Sequence, residues 1–343
     1  MNTTYFKQVL SELMAIPSPS GYTKNAMAYI QEKVKQLGYS CDHNQKGNLY
    51  VKVSGLNHDH PMAFSAHCDT LGLMVRSIKD NGTLAITTIG GPCLPTLDGE
   101  YCTIITRDDR HYSGTILSTS PSVHVFKDAS TLARDIDHMI VRIDEVVNSK
   151  EDVIKLGINN GDIIAYDPKT TFCESGYIKS RFLDDKLCVA IQMSILEHLS
   201  THHLVPSNDT WFCFSSYEEV GHGASWLPQE IETFISVDMG CVGEDLSCKE
   251  TQVSICAKDS GGPYDYDLVS TMERLCKDHD IDYVIDIYPM YGSDTGAALR
   301  GGNNIKGGLI GPGVAASHGM ERSHMDGVNA TYDLIIALMG VNQ

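Results

Sequence analysis

The chain has 343 residues, of which 42% are hydrophobic and 20% are charged, and its formal net charge is −18. Such an acidic chain is poorly suited to bind nucleic acid or an anionic membrane, so we expect neither as a partner. The eleven cysteines form no CxxC pair, and we find neither a signal peptide nor an apolar run of membrane-spanning length, so we expect a cytoplasmic location.

The first 71 residues predict the beginning of an α/β domain. The predicted elements, in order, are a helix over 3–15, the turn cluster IPSPSGY, a helix over 23–37, two short strands around Lys46-Gly47, and a buried strand over 61–66. This last strand runs directly into His67-Cys68-Asp69.

Residues 72–165 have a different pattern, with short alternating strands and one short helix near 149–156. The segment LMVRSIKDNGTLAITTIGG alternates about Asn81-Gly82, which is a strong hairpin signal. We predict that residues 72–165 form a small β-barrel or β-sandwich, inserted into a catalytic domain formed by 1–71 and 166–343. We expect the inserted domain to serve assembly of the oligomer and access to the site.

Strands alternate with helices again from about residue 177. The predicted elements are a helix from about Lys186, strands at 210–216, 233–238 and 251–256, a helix over 265–279, a strand at YVIDIYP, a helix begun by GSDTGAA with Asp294 as its cap, a strand at 305–310, a loop over 311–328, and a helix from about Tyr332. This alternation predicts an α/β fold with a mixed, mostly parallel sheet sandwiched by helices.

Five short segments place carboxylates or imidazoles just after apolar strands. They are AHCD (66–69), LDD (183–185), YEEVG (217–221), SVDMG (236–240) and SHGMERSH (317–324). Because ligands of open α/β sheets bind at the carboxyl ends of the strands, these segments can converge. Imidazole and carboxylate ligands suit zinc and similar ions, and their number fits two metal ions with one bridging carboxylate.

Glu218 and Glu219 follow the aromatic run Trp211-Phe212-Cys213-Phe214, which predicts a buried strand. Burying two carboxylates is costly unless a cation offsets their charge, so we interpret Glu219 as a metal ligand and Glu218 as the proton carrier.

Each of the other acidic or imidazole groups has an ordinary structural explanation when it is taken alone. His67 is one of 14 histidines, Asp184 and Asp185 could begin a helix, and Asp238 could cap a strand end. Asp69 strengthens the case for His67, because a carboxylate can orient the imidazole through its far nitrogen. The co-occurrence of all five segments favours a functional site.

Several motifs in this order resemble the di-zinc aminopeptidases of the tetrahedral aminopeptidase group, which includes glutamyl and deblocking aminopeptidases. The matching segments are IPSPSGY, GNLYV, AHCDTLGLMV, LGINNGDIIAYDP, EEVG, VDMG and GSDTGAA, and they extend over nearly the whole chain. The resemblance implies a di-zinc exopeptidase fold with an inserted β-domain, peptide substrates with a free N-terminus, and a dodecameric homo-oligomer.

The resemblance also implies a role for each site residue. One zinc ion, or cobalt in its place, would be held by His67, Asp184 and Asp238, and a second by Asp184, Glu219 and His324. Glu218 would be the general base, with Asp69 beside His67, and a cis peptide would follow Asp184. The last loop departs from the family pattern, so His318 is the alternative to His324; Lys186 stands where the family commonly has arginine.

Other functions remain open from sequence alone. A related di-zinc amidohydrolase or carboxypeptidase would share the HxD and EE motifs, a glycoside hydrolase would also use paired carboxylates, and a non-catalytic scaffold protein would lack a ligand or base. The β-rich insertion and the complete ligand set favour the aminopeptidase.

Overall fold

The structure, a computed structural model, describes residues 1–341. These residues form two compact units, one made of residues 1–69 with the chain from residue 169 onward, and the other of Thr70–Pro168. None of the described helices is both long enough and apolar enough to cross a membrane.

The helices and strands are numbered in chain order over the described residues. The helices are α1 (Thr3–Met14), α2 (Lys24–Gln36), α3 (Lys150–Lys155), α4 (Leu183–His202), α5 (Tyr266–Asp278), α6 (Asp294–Arg300) and α7 (Met325–Leu338), with a 3₁₀ turn at Leu94–Leu97. The strands are β1 (Asp42–His43), β2 (Leu49–Val53), β3 (Asn57–His67), β4 (Gly72–Ile78), β5 (Leu84–Ile89), β6 (Tyr101–Ile105), β7 (His111–Ser118), β8 (Met139–Ile143), β9 (Ile163–Tyr166), β10 (Thr171–Phe172), β11 (Tyr177–Ser180), β12 (Asn208–Ser215), β13 (Thr233–Val237), β14 (Gly240–Val242), β15 (Val253–Asp259), β16 (Gly262–Pro263), β17 (Tyr283–Ile287), β18 (Lys306–Ala315) and β19 (Glu321–His324).

The larger unit is built on a mixed sheet with a parallel centre. Strands β12, β3, β13 and β18 lie side by side in that order and run parallel, while β2 and β15 flank them antiparallel. The central strands are buried along most of their length, as expected when helices cover a parallel sheet. The predicted fold class, a mixed sheet with helices and an inserted barrel, is confirmed.

The register of the parallel strands brings their carboxyl ends to one edge. His67, the last residue of β3, lies opposite Ser215, the last residue of β12. Val237 ends β13 opposite Ile310 of β18, so Asp238 begins the next turn at this edge. Three of the five predicted segments therefore meet because their strands end together.

Helix α4 is buried on nearly every side and packs against α1, α7, β3 and β18. It begins at Leu183, three residues before the predicted start near Lys186. Its first turn departs from helical geometry at Asp184 and Asp185, and the peptide between them is cis, as the family resemblance implied.

Thr70–Pro168 form a closed antiparallel barrel with the strand order β4-β5-β8-β7-β6-β9. In β8, the alternate residues Met139, Val141 and Ile143 are buried, as the two-residue repeat of a strand requires. The predicted hairpin about Asn81-Gly82 is confirmed, because β4 and β5 pair across it and Gly82 has a φ of +80°.

Three predictions in the last third of the chain were wrong. The predicted loop over 311–328 contains the end of β18 and all of β19, and α7 begins at Met325 rather than near Tyr332. The glycines of β18 suggested a loop, but they permit close backbone packing: a Cβ on Gly311 would lie 1.7 Å from the backbone oxygen of Asp238. Asp294 does not cap α6, because the capping side chain is that of Ser293.

Candidate active site

His67 is the buried imidazole at the centre of the site. Its Nδ1 lies 2.9 Å from the backbone oxygen of Asp69, and its Nε2 lies 3.0 Å from Oδ1 of Asp184 and 3.7 Å from Oε2 of Glu218. The ring is oriented mainly by this backbone carbonyl, since the Asp69 carboxylate is 3.6 Å from Nδ1. Nε2 is therefore aimed into the cluster of carboxylates.

Asp184 lies between two histidines, and each of its carboxylate oxygens faces a different one. Oδ1 is next to His67, whereas Oδ2 is 3.5 Å from Nε2 of His318. The same nitrogen of His318 is 3.6 Å from Oε2 of Glu219. Asp184 therefore directs one oxygen toward each of two histidines, which is the position that a carboxylate shared by two metal ions would have.

The adjacent glutamates reach the same site because β12 has already ended. The strand stops at Ser215, and the following turn contains left-handed backbone at Tyr217 (φ 65°) and Gly221 (φ 84°). The Asp69 carboxylate accepts the backbone N–H groups of Glu218 and Glu219 at 3.1 and 3.3 Å. Asp69 thus holds the turn that presents both glutamates, a role beyond the orientation of His67 that its spacing suggested.

The structure does not bring His324 into this cluster. Its ring caps α7 by accepting the backbone N–H of Asp326 at Nδ1, and its Nε2 lies 2.8 Å from the carbonyl of Ser175. His318 lies beside Asp184, in the position that the family resemblance in the sequence implied for His324. The structure therefore places His318, and not His324, beside Asp184 and Glu219, because β19 and the start of α7 direct the ring of His324 elsewhere.

The electrostatics of the site show an excess of buried negative charge. Burial and the charge of Asp184 raise the pKa of Asp238 to about 7, and the same two causes raise the pKa of Glu219 well above its usual range. Burial likewise raises the pKa of Glu218 strongly. For Asp184, burial is outweighed by hydrogen bonds from His318 and His67, so its pKa is lowered.

The residues present fit a bound cation. Ligand atoms of His67, Glu218 and Asp238 lie within 4.8 Å of one another, as do those of His67, Asp184 and Glu219. Oε1 of Glu219 is buried and has no hydrogen-bond partner among the described residues, which is costly for a carboxylate oxygen. A divalent ion would satisfy this oxygen and offset the charge that raises the neighbouring pKa values.

Three further buried carboxylates support the site and were not assigned to it from the sequence. Glu321 accepts the backbone N–H of Asp184 through Oε2 and that of His318 through Oε1, both at 3.0 Å. Asp185 accepts the backbone N–H of His67 at 3.0 Å. Asp294 accepts hydrogen bonds from the hydroxyl of Ser215 and the backbone N–H of Ala224, at the two ends of the glutamate turn. An acidic residue three positions after His318 was the available signal for Glu321.

Lys186, the departure from the family pattern, is buried one turn into α4. Its Nζ donates to the backbone oxygens of Leu13 and Ile16 at 2.8 and 2.7 Å, and burial lowers its pKa to about 8. It therefore ties the end of α1 to the start of α4, and this contact needs only a compact cation.

The carboxylates and His318 open into a cleft of about 390 Å³, which is also lined by Met239, Tyr291 and Arg300. This volume is in the range of small-ligand sites. The buried imidazole of His67, the partly exposed imidazole of His318 and the carboxylates lie at the carboxyl ends of parallel strands, beside this cleft. They define the class of protein: an enzyme whose site is suited to hydrolysis.

Comparison with known proteins identifies the family. The profile described as M42 glutamyl aminopeptidase matches residues 47–334. The Bacillus subtilis (strain 168) protein named "Putative aminopeptidase YhfE" is 41% identical over 96% of this chain and 95% of its own length.

Two solved structures share the fold. The Pyrococcus horikoshii TET1 peptidase, described as able to assemble into a tetrahedron or a large octahedral shell, superposes with a TM-score of 0.84 at 23% identity, covering 97% of this chain and 99% of its own. The TET aminopeptidase of a marine sediment Thaumarchaeota archaeon gives a TM-score of 0.87 at 17% identity, covering 97% and 96%.

The chain belongs to the M42 glutamyl aminopeptidase family. It is an aminopeptidase, a hydrolase that acts on peptide bonds, as the sequence motifs predicted.

Proposed function

We propose that the protein removes N-terminal residues from peptides by a metal-dependent attack of water on the first peptide bond. The observation that carries the proposal is the position of Asp184, whose two oxygens face His67 and His318 within a buried group of carboxylates. Such a group can hold two cations with one shared ligand, which is the arrangement of two-metal hydrolases.

In this proposal His67, Asp184 and Asp238 hold one divalent ion, and Asp184, Glu219 and His318 hold the other. Zn²⁺ suits these nitrogen and oxygen ligands, and Co²⁺ is the alternative. When bound, the ions would lower the pKa of water and stabilise negative charge on the carbonyl oxygen. The three ligand carboxylates and Glu218 would balance the four positive charges.

Glu218 is the proposed general base. Its carboxylate is largely buried beside His67, and the hydrogen bond from its backbone N–H to Asp69 fixes where the side chain begins. Burial raises the pKa of Glu218, which favours the uptake of a proton. Glu218 takes a proton from the attacking water and transfers it to the leaving amine as the peptide bond breaks.

Assembly and location complete the proposal. Because the Pyrococcus horikoshii protein of the same fold is described as able to assemble into a tetrahedron or a large octahedral shell, we propose a homo-oligomer, specifically a dodecamer. The barrel would contribute to assembly and access: its segment 118–140 exposes Val123 and Val125, each by more than 70%. A cytoplasmic location is consistent with the eleven cysteines, all of which are free.

The function is tested with substrates that differ at the N-terminus. Leu-Leu-Leu and its N-acetyl derivative are incubated with the metal-loaded enzyme, with and without a chelator, next to a soluble glucan. We expect hydrolysis of the free-amine peptide alone, and its loss on chelation. Cleavage of the acetylated peptide would favour an amidohydrolase, and chelator-resistant cleavage of the glucan would favour a glycosidase.

A further inference from the structure

Asn48 is a buried residue of the GNLYV segment to which the proposed mechanism gives no role. It directly precedes β2, it is 1% exposed, and it is not among the described residues that line the catalytic cleft. Its side-chain amide is hydrogen-bonded instead to the glutamate turn, residues 216–223, which carries Glu218 and Glu219. Asn48 therefore contacts the segment that presents the two glutamates without reaching the cleft.

The amide of Asn48 joins the two ends of the glutamate turn. Its Oδ1 accepts the backbone N–H of Ser216 at 3.0 Å, and its Nδ2 donates to the backbone oxygen of Gly223, also at 3.0 Å. Since a backbone N–H can only donate and a backbone carbonyl can only accept, these two partners determine the orientation of the amide. One side chain thus connects the beginning of the turn to its end.

This connection requires a donor and an acceptor on a short side chain. An aliphatic residue at position 48 would remove the partners of both backbone groups, which is costly because Ser216 is fully buried. Aspartate would keep the acceptor for Ser216 but would place a carboxylate oxygen against the carbonyl oxygen of Gly223, and the two oxygens would repel each other. Asparagine has the groups that both ends of the turn need.

The turn that contains Asn48 is ordered by its own hydrogen bonds. The side chain of Asn44 accepts the backbone N–H groups of Lys46 and Asn48, both at 3.0 Å. Lys46 then adds two contacts to the glutamate turn: its backbone oxygen accepts the hydroxyl of Ser216 at 3.1 Å, and its Nζ donates to the backbone oxygen of His222. Residues 44–48 therefore support the glutamate turn as a unit, and Asn48 supplies the contacts at both of its ends.

The position of Glu218 depends on two supports from other parts of the chain. Asp69 accepts the backbone N–H groups in the middle of the turn, and Asn48 joins its ends. A general base must lie within hydrogen-bond distance of the proton that it takes, and a displacement of about 1 Å can cost roughly a hundredfold in rate. Removal of the Asn48 amide would leave the middle of the turn held and its ends free.

We propose that Asn48 is a positioning residue of the enzyme: its amide fixes the glutamate turn and thereby places Glu218 for proton transfer. This inference rests on the proposed function, in which Glu218 is the general base. Because Asn48 does not line the cleft, it acts on the reaction through the turn alone.

A double-mutant cycle separates this role from a general contribution to stability. Turnover of Leu-anilide is measured with excess Zn²⁺ for the wild type, Asn48→Ala, Glu218→Gln and the double variant, and bound metal is measured on the same samples. Asn48→Asp, which is nearly isosteric, is included because the truncated variant could fail to fold. The control is Asp209→Ala: Asp209 is also buried and holds a backbone N–H, that of Gly55, but it lies at the opposite end of β12 from the site.

We expect Asn48→Ala to lower kcat by at least about tenfold in the wild-type background, because the base is displaced. In the Glu218→Gln background the same substitution should lower kcat by less than about twofold, since the group that Asn48 positions is already absent. Asn48→Asp should also lower kcat in the wild-type background only. Asp209→Ala should lower Tm and leave kcat unchanged.

Hydrogen exchange of the metal-free enzyme gives a readout that does not depend on activity. In both Asn48 variants, the backbone amides of residues 216–223 should exchange at least about fivefold faster than in the wild type, because the ends of the turn are no longer held. In Asp209→Ala the exchange of this segment should remain that of the wild type.

Turnover within about twofold of the wild type in both Asn48 variants would overturn the inference. Equal losses of kcat in the two backgrounds would do the same, as would unchanged exchange of the glutamate turn. Failure of the proposed function gives different results: the metal-loaded wild type does not cleave Leu-anilide, or Glu218→Gln retains full turnover.

Discussion

Glu218 and Glu219 are neighbours in the chain with different proposed roles, so paired isosteric substitutions test the mechanism. Glu218→Gln keeps the size of the side chain and the backbone N–H that Asp69 accepts. It removes the carboxylate that we propose takes the proton from water. Glu219→Gln removes instead a carboxylate whose Oε2 lies 3.6 Å from His318.

The size of the effect follows from the assigned roles. General acid–base catalysis contributes roughly 10²–10⁴ in rate, so Glu218→Gln should lower kcat by that factor, about 3 to 5 kcal/mol in the activation barrier. Its metal content should remain that of the wild type. Glu219→Gln should lower metal affinity, so its activity should recover in part when the metal concentration is increased.

Both variants are assayed with Leu-anilide over a range of Zn²⁺ concentrations, and bound metal is measured by mass spectrometry after gel filtration. Near-wild-type turnover in Glu218→Gln would refute the assignment of the base. Equal metal loss in the two variants would show that the two glutamates do not have separate roles.

The remaining predictions concern the second histidine, its support and the fold. His318→Ala should lower metal content to about half and abolish turnover, whereas His324→Ala should retain both; the reverse pattern would restore His324 as the ligand. Glu321→Gln should lower metal affinity, measured by titration with a chelating dye, because its amide group cannot accept the second of two backbone N–H groups; unchanged affinity would contradict this supporting role. Gly311→Ala should lower Tm strongly or prevent folding because its Cβ would collide with the backbone of Asp238, while the control Gly243→Ala, which has open space around it, should not; an unchanged Tm in Gly311→Ala would refute the close approach. Glu12→Gln should lower the free energy of unfolding by less than about 1 kcal/mol at pH 7, because the Glu12 side chain is 39% exposed and solvent screens its interactions.

The pH dependence of that last variant can be checked by urea unfolding. Hydrogen bonds from Tyr29 and Gln8, with Lys33 nearby, lower the pKa of Glu12 from 4.5 to about 2. A lowered folded-state pKa stabilises the protein above pH 4.5, and this contribution is lost as the pH falls toward 2. The difference between Glu12→Gln and the wild type should therefore shrink over this interval, and a constant difference would contradict the assignment.

The sequence predicted the helices and turns whose signal lies within a short stretch of residues. Helical spacing of apolar residues located α1 and α2 within about one residue, and the Asn81-Gly82 turn located the β4–β5 hairpin. The carboxyl ends of the strands also indicated where His67 and Asp238 would meet, because this rule depends on strand direction rather than on detailed packing.

Features that depend on tertiary contact were not accessible in the same way. The segment of β18 is rich in glycine, as loops often are. The close approach of another backbone explains why glycines stand in this strand. The choice between His318 and His324 depended on β19, a short strand that pairs with the distant β11. Glu321 had only a weak local signal, its spacing from His318, because its other partner, the backbone N–H of Asp184, comes from a distant part of the chain.

The role of Asp69 was predicted in part from the sequence. Its spacing from His67 suggested orientation of the imidazole, and the two residues do contact each other. Its carboxylate also accepts hydrogen bonds, shorter than its contact with His67, from the backbone of the glutamate turn, about 150 residues later in the chain. Sequence reasoning found the residue but not this second function, because the pairing of β3 with β12 creates it.

The central claim is that two metal ions complete the site, and a metal titration tests it most directly. The enzyme is stripped with a chelator, and Zn²⁺ or Co²⁺ is then added stepwise while bound metal and Leu-anilide turnover are measured on the same samples. The account predicts an inactive stripped enzyme whose activity saturates as two ions bind per subunit. Full turnover in enzyme with less than about one tenth of an ion per subunit would contradict it.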